Sequence, residues 1–169
     1  MDTGPPPPTG PTDSWITAQN MAVRRRALAG GLRFESAMEW VGPAGAMGSD
    51  DLLAQRLRAR GAKVWWIAES LVEHKIRPEQ LTRAWMLRRA TSFGRGRYWL
   101  DEDFRRPAPE LMGAPRWLAR HIMEQSGRVA SAWLRGDAAG LFRERWNLNV
   151  LWGAMAECRR MRGAARRNP

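Results

Sequence analysis

Cysteine occurs once in this chain, at Cys158. A single thiol excludes an internal disulfide framework and a multi-cysteine zinc site. Lysine occurs only as Lys63 and Lys75, so nearly all of the basic charge is arginine. No run of about 18 apolar residues is present, so no segment is suited to span a bilayer on its own. The N-terminus is rich in Pro, Gly and Thr and has no apolar h-region, so a secretory signal is not expected. No internal repeat is visible, and strand-like segments are few. These absences predict a soluble, cytoplasmic protein of a reducing compartment.

What is present is enough for a folded domain. Of 169 residues, 44% are hydrophobic and 27% charged, which predicts a packed core rather than disorder. Lys plus Arg number 28 against 17 for Asp plus Glu, a net charge of +11. The charge is uneven: residues 1–50 carry −1, residues 51–100 carry +7 and residues 101–169 carry +5. A basic C-terminal two-thirds attracts phosphate groups, whether of nucleic acid, anionic lipid or nucleotide. A basic nucleic-acid-binding module is therefore one reading. It is disfavoured, because no helix-turn-helix, zinc-finger or RNA-recognition signature accompanies the charge. The ten tryptophans also fall mostly in apolar stretches, where core packing accounts for them.

Residues 1–14, with Pro5 to Pro8 and Pro11, read as a flexible extended leader. Ile16 to Leu28 shows a short helical pattern that ends at Gly30-Gly31. Gly42 to Gly48 is a glycine-rich loop. Asp50-Asp51 opens a compact helix whose Leu52, Leu53 and Leu57 share one face and which Gly61 closes. Val64 to Ala68 reads as a buried strand, and Leu71 to Ile76 as a second extended stretch carrying Glu73 and His74. Pro78 suits the first turn of a long helix with Leu81, Ala84 and Trp85 as its apolar stripe and Gly94-Arg95-Gly96 as its end. Residues 101–115 read as a linker and 116–162 as a helical extension, with helices over about 116–134 and 137–162 joined around Gly136. Residues 163–169 form a basic tail.

A carboxylate at a helix start is ordinarily a cap, and a lone histidine near a strand end is ordinarily solvated. Their order along the chain says more. Asn20-Met21 and Val23-Arg24-Arg25 precede Gly31-Leu32-Arg33-Phe34-Glu35, and Gly48-Ser49-Asp50-Asp51 follows with Arg56-Leu57 and Gly61. Val64 to Ile67 leads into Ala68-Glu69-Ser70-Leu71-Val72-Glu73-His74, then Arg77-Pro78-Glu79-Gln80-Leu81-Thr82, Trp85 and Leu87-Arg88-Arg89-Ala90. This series, over residues 15–100, resembles the C-terminal half of a family 2 glycosyltransferase catalytic domain. The similarity is to the bacterial subgroup that builds exopolysaccharides and other cell-surface glycans.

The resemblance implies an α/β fold: a partial GT-A, Rossmann-like domain lacking its N-terminal nucleotide-binding half, followed by C-terminal helices. It implies inverting transfer of a sugar from a nucleotide-sugar donor to a glycan or lipid-linked acceptor. Asp50 inherits the role of catalytic base. A sugar hydroxyl is a poor nucleophile until a carboxylate takes its proton, a contribution of about 10²–10⁴-fold. Asn20, Gly45, Gly48, Ser49 and Asp51 inherit places around the donor and acceptor, with Ser49 where the family usually has Glu. His74 stands where some members place a ligand to the divalent metal, and Mn²⁺ suits imidazole better than Mg²⁺ does. Arg88, Arg89, Arg95 and Arg97 are candidates for a diphosphate or lipid phosphate. The family's Asp-x-Asp motif has no counterpart, since Asp101-Glu102-Asp103 lies past the domain. The chain is therefore expected to be a fragment or one part of a split enzyme, inactive until a separate N-terminal half is supplied. The tryptophan and arginine of the C-terminal helices also suit peripheral contact with an anionic membrane, at the inner face of the plasma membrane.

Overall fold

A computed structural model describes residues 8–12, 18–38, 45–111 and 113–167. Parts of the expected leader (1–7 and 13–14) and of the glycine loop (Gly42 to Ala44) lie outside the described residues, as do Ile16 and Trp40. The described chain mixes helices with two two-stranded sheets and is mostly helical. Its strands are β1 (Gly10–Pro11), β2 (Trp65–Trp66), β3 (Glu110–Leu111) and β4 (Ala114–Pro115). Its α-helices are α1 (Ser49–Ala59), α2 (Arg83–Leu100), α3 (Arg116–Leu134) and α4 (Ala138–Arg167). The chain divides into two compact units, Met1–Ser36 with Ser49–Lys75, and Ala37–Gly48 with Ile76–Pro169.

The first unit is built on α1. Leu53 and Leu57 pack with Leu32 in a small core, flanked by Met21, Val23, Ala27 and Leu28. Asp50 and Asp51 occupy the first turn of α1, and Arg56 and Arg58 the last, as the helix dipole favours. Gly61 ends it at φ 79°, a left-handed conformation that costs glycine little. Arg56 reaches Glu35 at 2.8 Å, and Arg60 donates to the Ala29 carbonyl at 3.0 Å. The stretch from Ile16 to Leu28 is not one helix in its described part: it holds two 3-10 turns, Ala18–Asn20 and Arg25–Leu28.

The Val64–Ala68 segment is not a buried strand. Only Trp65 and Trp66 pair, antiparallel with Pro11 and Gly10, so two residues of the expected leader form a strand. Trp65 is 60% exposed, and Trp66, Ile67, Leu71 and Val72 are exposed as well. The physical reason is the size of the sheet. Two strands of two residues cannot sandwich an apolar run, and among the described residues Trp65 to Ile67 remain exposed. Leu71 to Ile76 makes no strand and is exposed throughout.

The second unit is a helical bundle centred on α4, which packs against both α2 and α3. Pro78 starts a separate 3-10 turn, Pro78–Leu81. The α2 helix begins after it, capped by Thr82, whose Oγ1 accepts the Trp85 N–H at 3.2 Å. Leu81 and Ala84 are exposed, so the stripe expected from them is not the packing face. Nor do Gly94 and Gly96 end the helix, which continues to Leu100. They are its contact face: a Cβ on Gly94 would overlap the Val150 carbonyl, and one on Gly96 the Met47 carbonyl. Across the interface, a Cβ on Gly153 of α4 would overlap the Thr91 carbonyl.

Phe104, Ala114, Leu118, Ile122, Met155 and Cys158 form the core between α3, α4 and residues 104–115. The expected linker thus contributes to the core and carries the β3–β4 pair, Leu111 opposite Ala114. Burial pushes the Cys158 thiol up to about 11, so it remains an uncharged core group at neutral pH. The fully buried Glu157 accepts from Trp99 Nε1 at 3.1 Å and from Arg160 Nε at 3.1 Å. Gln125 ties α3 to α4 through the Glu144 carboxylate at 2.7 Å. Gly136 at φ 66° turns the chain between the two helices, and Asp137 Oδ1 accepts the Gly140 N–H at 2.8 Å. The expected basic tail is largely the last turns of α4. Among the described residues no helix is long and apolar enough to cross a membrane.

Candidate functional site

The carboxylates singled out by the sequence lie at the N-terminus of α1. Asp50 Oδ2 accepts the Ala18 backbone N–H at 2.8 Å, which docks the Ala18–Asn20 turn against the helix start. Two residues on, Asn20 Nδ2 donates to the Ser70 carbonyl at 2.6 Å, and Ser70 Oγ donates back to Asn20 Oδ1 at 3.2 Å. Two bridges therefore join segments 32 and 50 residues apart. Asp50, Asn20 and the Glu69-Ser70 bend belong to one connected arrangement in the first unit. Thr9 extends it, accepting from the Ala68 N–H at 2.9 Å and donating to Glu69 at 2.8 Å.

Asp51 differs from its neighbour. Partial burial, reinforced by the adjacent Asp50 charge and opposed by Arg58, pushes its carboxyl from 3.8 up to about 6. An acid with a raised pKa in the folded state binds its proton more tightly there than in the unfolded chain. Its ionisation therefore erodes stability as pH rises from about 4 to about 6. Asp51→Asn removes that loss. The variant should be more resistant to urea than the parent above about pH 6, and the difference should vanish below about pH 4. Urea midpoints across that range check it; a constant difference at every pH would contradict it.

Other sequence-predicted residues are not gathered with these. Gly45 and Gly48 fall in the second unit, Gly45 buried and Gly48 at φ 103°, whereas Ser49 opens α1. His74 is exposed. Among the described residues no group of three or more His, Cys, Asp or Glu side chains could hold a metal ion, so His74 does not by itself make a metal site. Arg88 is exposed, and the Arg89 guanidinium lies over the Trp85 ring at 5.1 Å from its centroid. Arg95 lies 3.9 Å from the buried Glu157 carboxylate, so its charge is directed inward rather than toward a phosphate. A groove of about 580 Å³ lined by Phe34, Arg33 and Arg60 sits at the far end of α1 from Asp50.

Two features of the arrangement escaped sequence reasoning. The Asn20–Ser70 bond has no local signal. The shifted carboxyl of Asp51 did have one: two consecutive aspartates immediately before the buried Leu52, Leu53 and Ala54.

The fold and site define a mixed α/β, mainly helical chain with a carboxylate pair at a helix start. No family model, curated protein or solved structure matches it.

Proposed function

We propose that residues 15–100 are the C-terminal part of an inverting glycosyltransferase site of GT-A type, with Asp50 as its base. In this reading the acceptor hydroxyl oxygen attacks the anomeric carbon of a nucleotide-sugar. The bond to the nucleoside diphosphate breaks with its electron pair leaving on the diphosphate, and Asp50 takes the hydroxyl proton. A base of this kind must stand within hydrogen-bond reach of the proton it removes. One observation carries the reading. The bonds Asp50–Ala18 and Asn20–Ser70 draw three separate motif segments into one place in the first unit. The exposed run of Trp65, Trp66, Ile67, Leu71 and Val72 supports it too, because added strands would cover that apolar surface. Among the described residues no sheet has more than two strands, so nucleotide-binding strands are expected from a complementing segment.

The test is reconstitution. The full chain is mixed with an N-terminal half of a family 2 glycosyltransferase that carries the Asp-x-Asp motif, and a panel of nucleotide-sugars and acceptors is supplied. Release of nucleoside diphosphate that needs both parts supports the proposal. Release that is the same without this chain, or none with any donor, overturns it.

A further inference from the structure

The α3 helix has a buried apolar face and, on its outer side, a second and narrower apolar stripe over its C-terminal two-thirds. Its inner face buries Leu118, Ile122 and Ala132 together with Gln125. At 100° per residue, Met123, Gly127, Ala130 and Leu134 fall at i, i+4, i+7 and i+11, in a straight stripe on the side away from that core. Met123 is 70% exposed, Leu134 76% and the flanking Trp133 67%. A surface helix with one face in the core ordinarily carries charge opposite it. Here, from Met123 to Leu134, the outermost row carries Met, Gly, Ala and Leu instead.

The charges lie around this stripe. Arg116 and Arg120 continue it at the N-terminal end, and Arg128 and Arg135 are exposed along its C-terminal half. The one acidic residue of α3, Glu124, pairs with Arg120 at 3.5 Å. Over residues 116–167 there are eleven arginines against four carboxylates. Among the described residues the middle of the stripe is open: a Cβ added at Gly127 would meet no atom within 4 Å.

We propose that this face of α3 docks flat on an anionic lipid surface. Leu134, Met123 and Trp133 would enter the headgroup–acyl boundary, and the arginines would reach lipid phosphates along its edges. An apolar stripe flanked by arginine, with tryptophan at its margin, is the pattern of a helix that lies in the interface plane. The helix has 19 residues, about 28 Å of contact along that plane. Charge complementarity selects an anionic surface. The Met, Ala and Leu side chains of the stripe select lipid over nucleic acid, because they offer bases neither hydrogen bonds nor stacking. This docking is independent of glycosyl transfer, since it uses only α3, which lies outside residues 15–100.

The experiment is flotation of the full chain with phosphatidylcholine vesicles, pure or containing roughly one-third phosphatidylglycerol. Binding is expected on the anionic vesicles and to be at least about tenfold weaker on the neutral ones and in high salt. Replacing Trp133 and Leu134 together by Ser should lower anionic binding by about tenfold or more, with helicity and melting unchanged. Gly127→Leu should raise binding several-fold, since it adds apolar surface where there is open space. That gain decides the matter if the double variant fails to fold. Equal binding to both vesicle types, no vesicle binding, or no response to Gly127→Leu overturns the proposal. Salt-sensitive binding to duplex DNA with no vesicle binding would assign the charge to nucleic acid and overturn it too.

Discussion

Gly153→Ala is expected to destabilise the helical unit by about 2 kcal/mol, and the same change at Gly127 to stabilise it. Both glycines sit inside α-helices, where alanine is favoured over glycine by about 1 kcal/mol through reduced backbone freedom in the unfolded chain. At Gly127 that gain stands alone, because the new methyl meets nothing. At Gly153 the methyl would occupy the place of the Thr91 carbonyl oxygen on α2, with the Arg95 amide nitrogen 3.0 Å away. A carbonyl on a helix backbone cannot rotate aside as a side chain can, so the two helices must separate. Separation loosens Ala154 and Met155, which belong to the core on α4. Overpacking costs typically about 1–3 kcal/mol, and a clash against backbone belongs at the upper end or beyond it. Gly94→Ala, which meets the Val150 carbonyl from the other side, should behave like Gly153→Ala. The Leu variant at either site should lose cooperative unfolding altogether. Urea titration of the three alanine variants gives the sign directly. A Gly153→Ala variant as stable as Gly127→Ala would mean that α2 and α4 do not approach this closely.

That pair of glycines also shows why part of the fold was legible and part was not. The limits of α3 follow from local signals, and the structure places it at Arg116–Leu134 as expected. The Asp-rich start and Gly61 end of α1 are equally local. Gly94 and Gly96, in contrast, look like a helix stop because glycine commonly marks one. Glycine serves two different needs, a left-handed backbone or the absence of a Cβ, and the letter is the same for both. Gly61 and Gly136 meet the first need with positive φ; Gly94 and Gly153 meet the second. An apolar run has a similar ambiguity. Val64 to Ile67 has the composition of a covered strand, but burial depends on what packs over it, which is a property of distant sequence. The candidate site divides in the same way. The Asp50-Asp51 pair at a helix start is visible in order, whereas the bonds to Ala18 and between Asn20 and Ser70 link residues far apart in the chain.

In a reconstituted enzyme, Asp50→Asn is expected to lower turnover by at least about 10²-fold while leaving donor affinity unchanged. Under the proposed function the Asp50 carboxylate would have two separable roles. Its Oδ2 accepts the Ala18 N–H and so holds the Ala18–Asn20 turn in place. An asparagine amide has an oxygen of the same reach and can accept that bond, so the arrangement with Asn20 and Ser70 is retained. What asparagine cannot do is take a proton from a sugar hydroxyl, and the loss must then fall on the chemical step. Asp50→Ala is the poorer probe, because it removes the bond and the base together. Asp51→Asn serves as the neighbouring control: it removes a carboxyl that burial has already pushed up to about 6 and that the proposed function does not use as the base. Its effect on turnover should be mild, within about tenfold. Turnover and donor affinity measured for both variants in one preparation distinguish the roles. If Asp50→Asn keeps more than about a tenth of the parent turnover, a general base worth about 10²-fold is excluded at that position. If Asp51→Asn proves the more damaging of the two, the proton passes to Asp51 and the assignment moves one residue along α1.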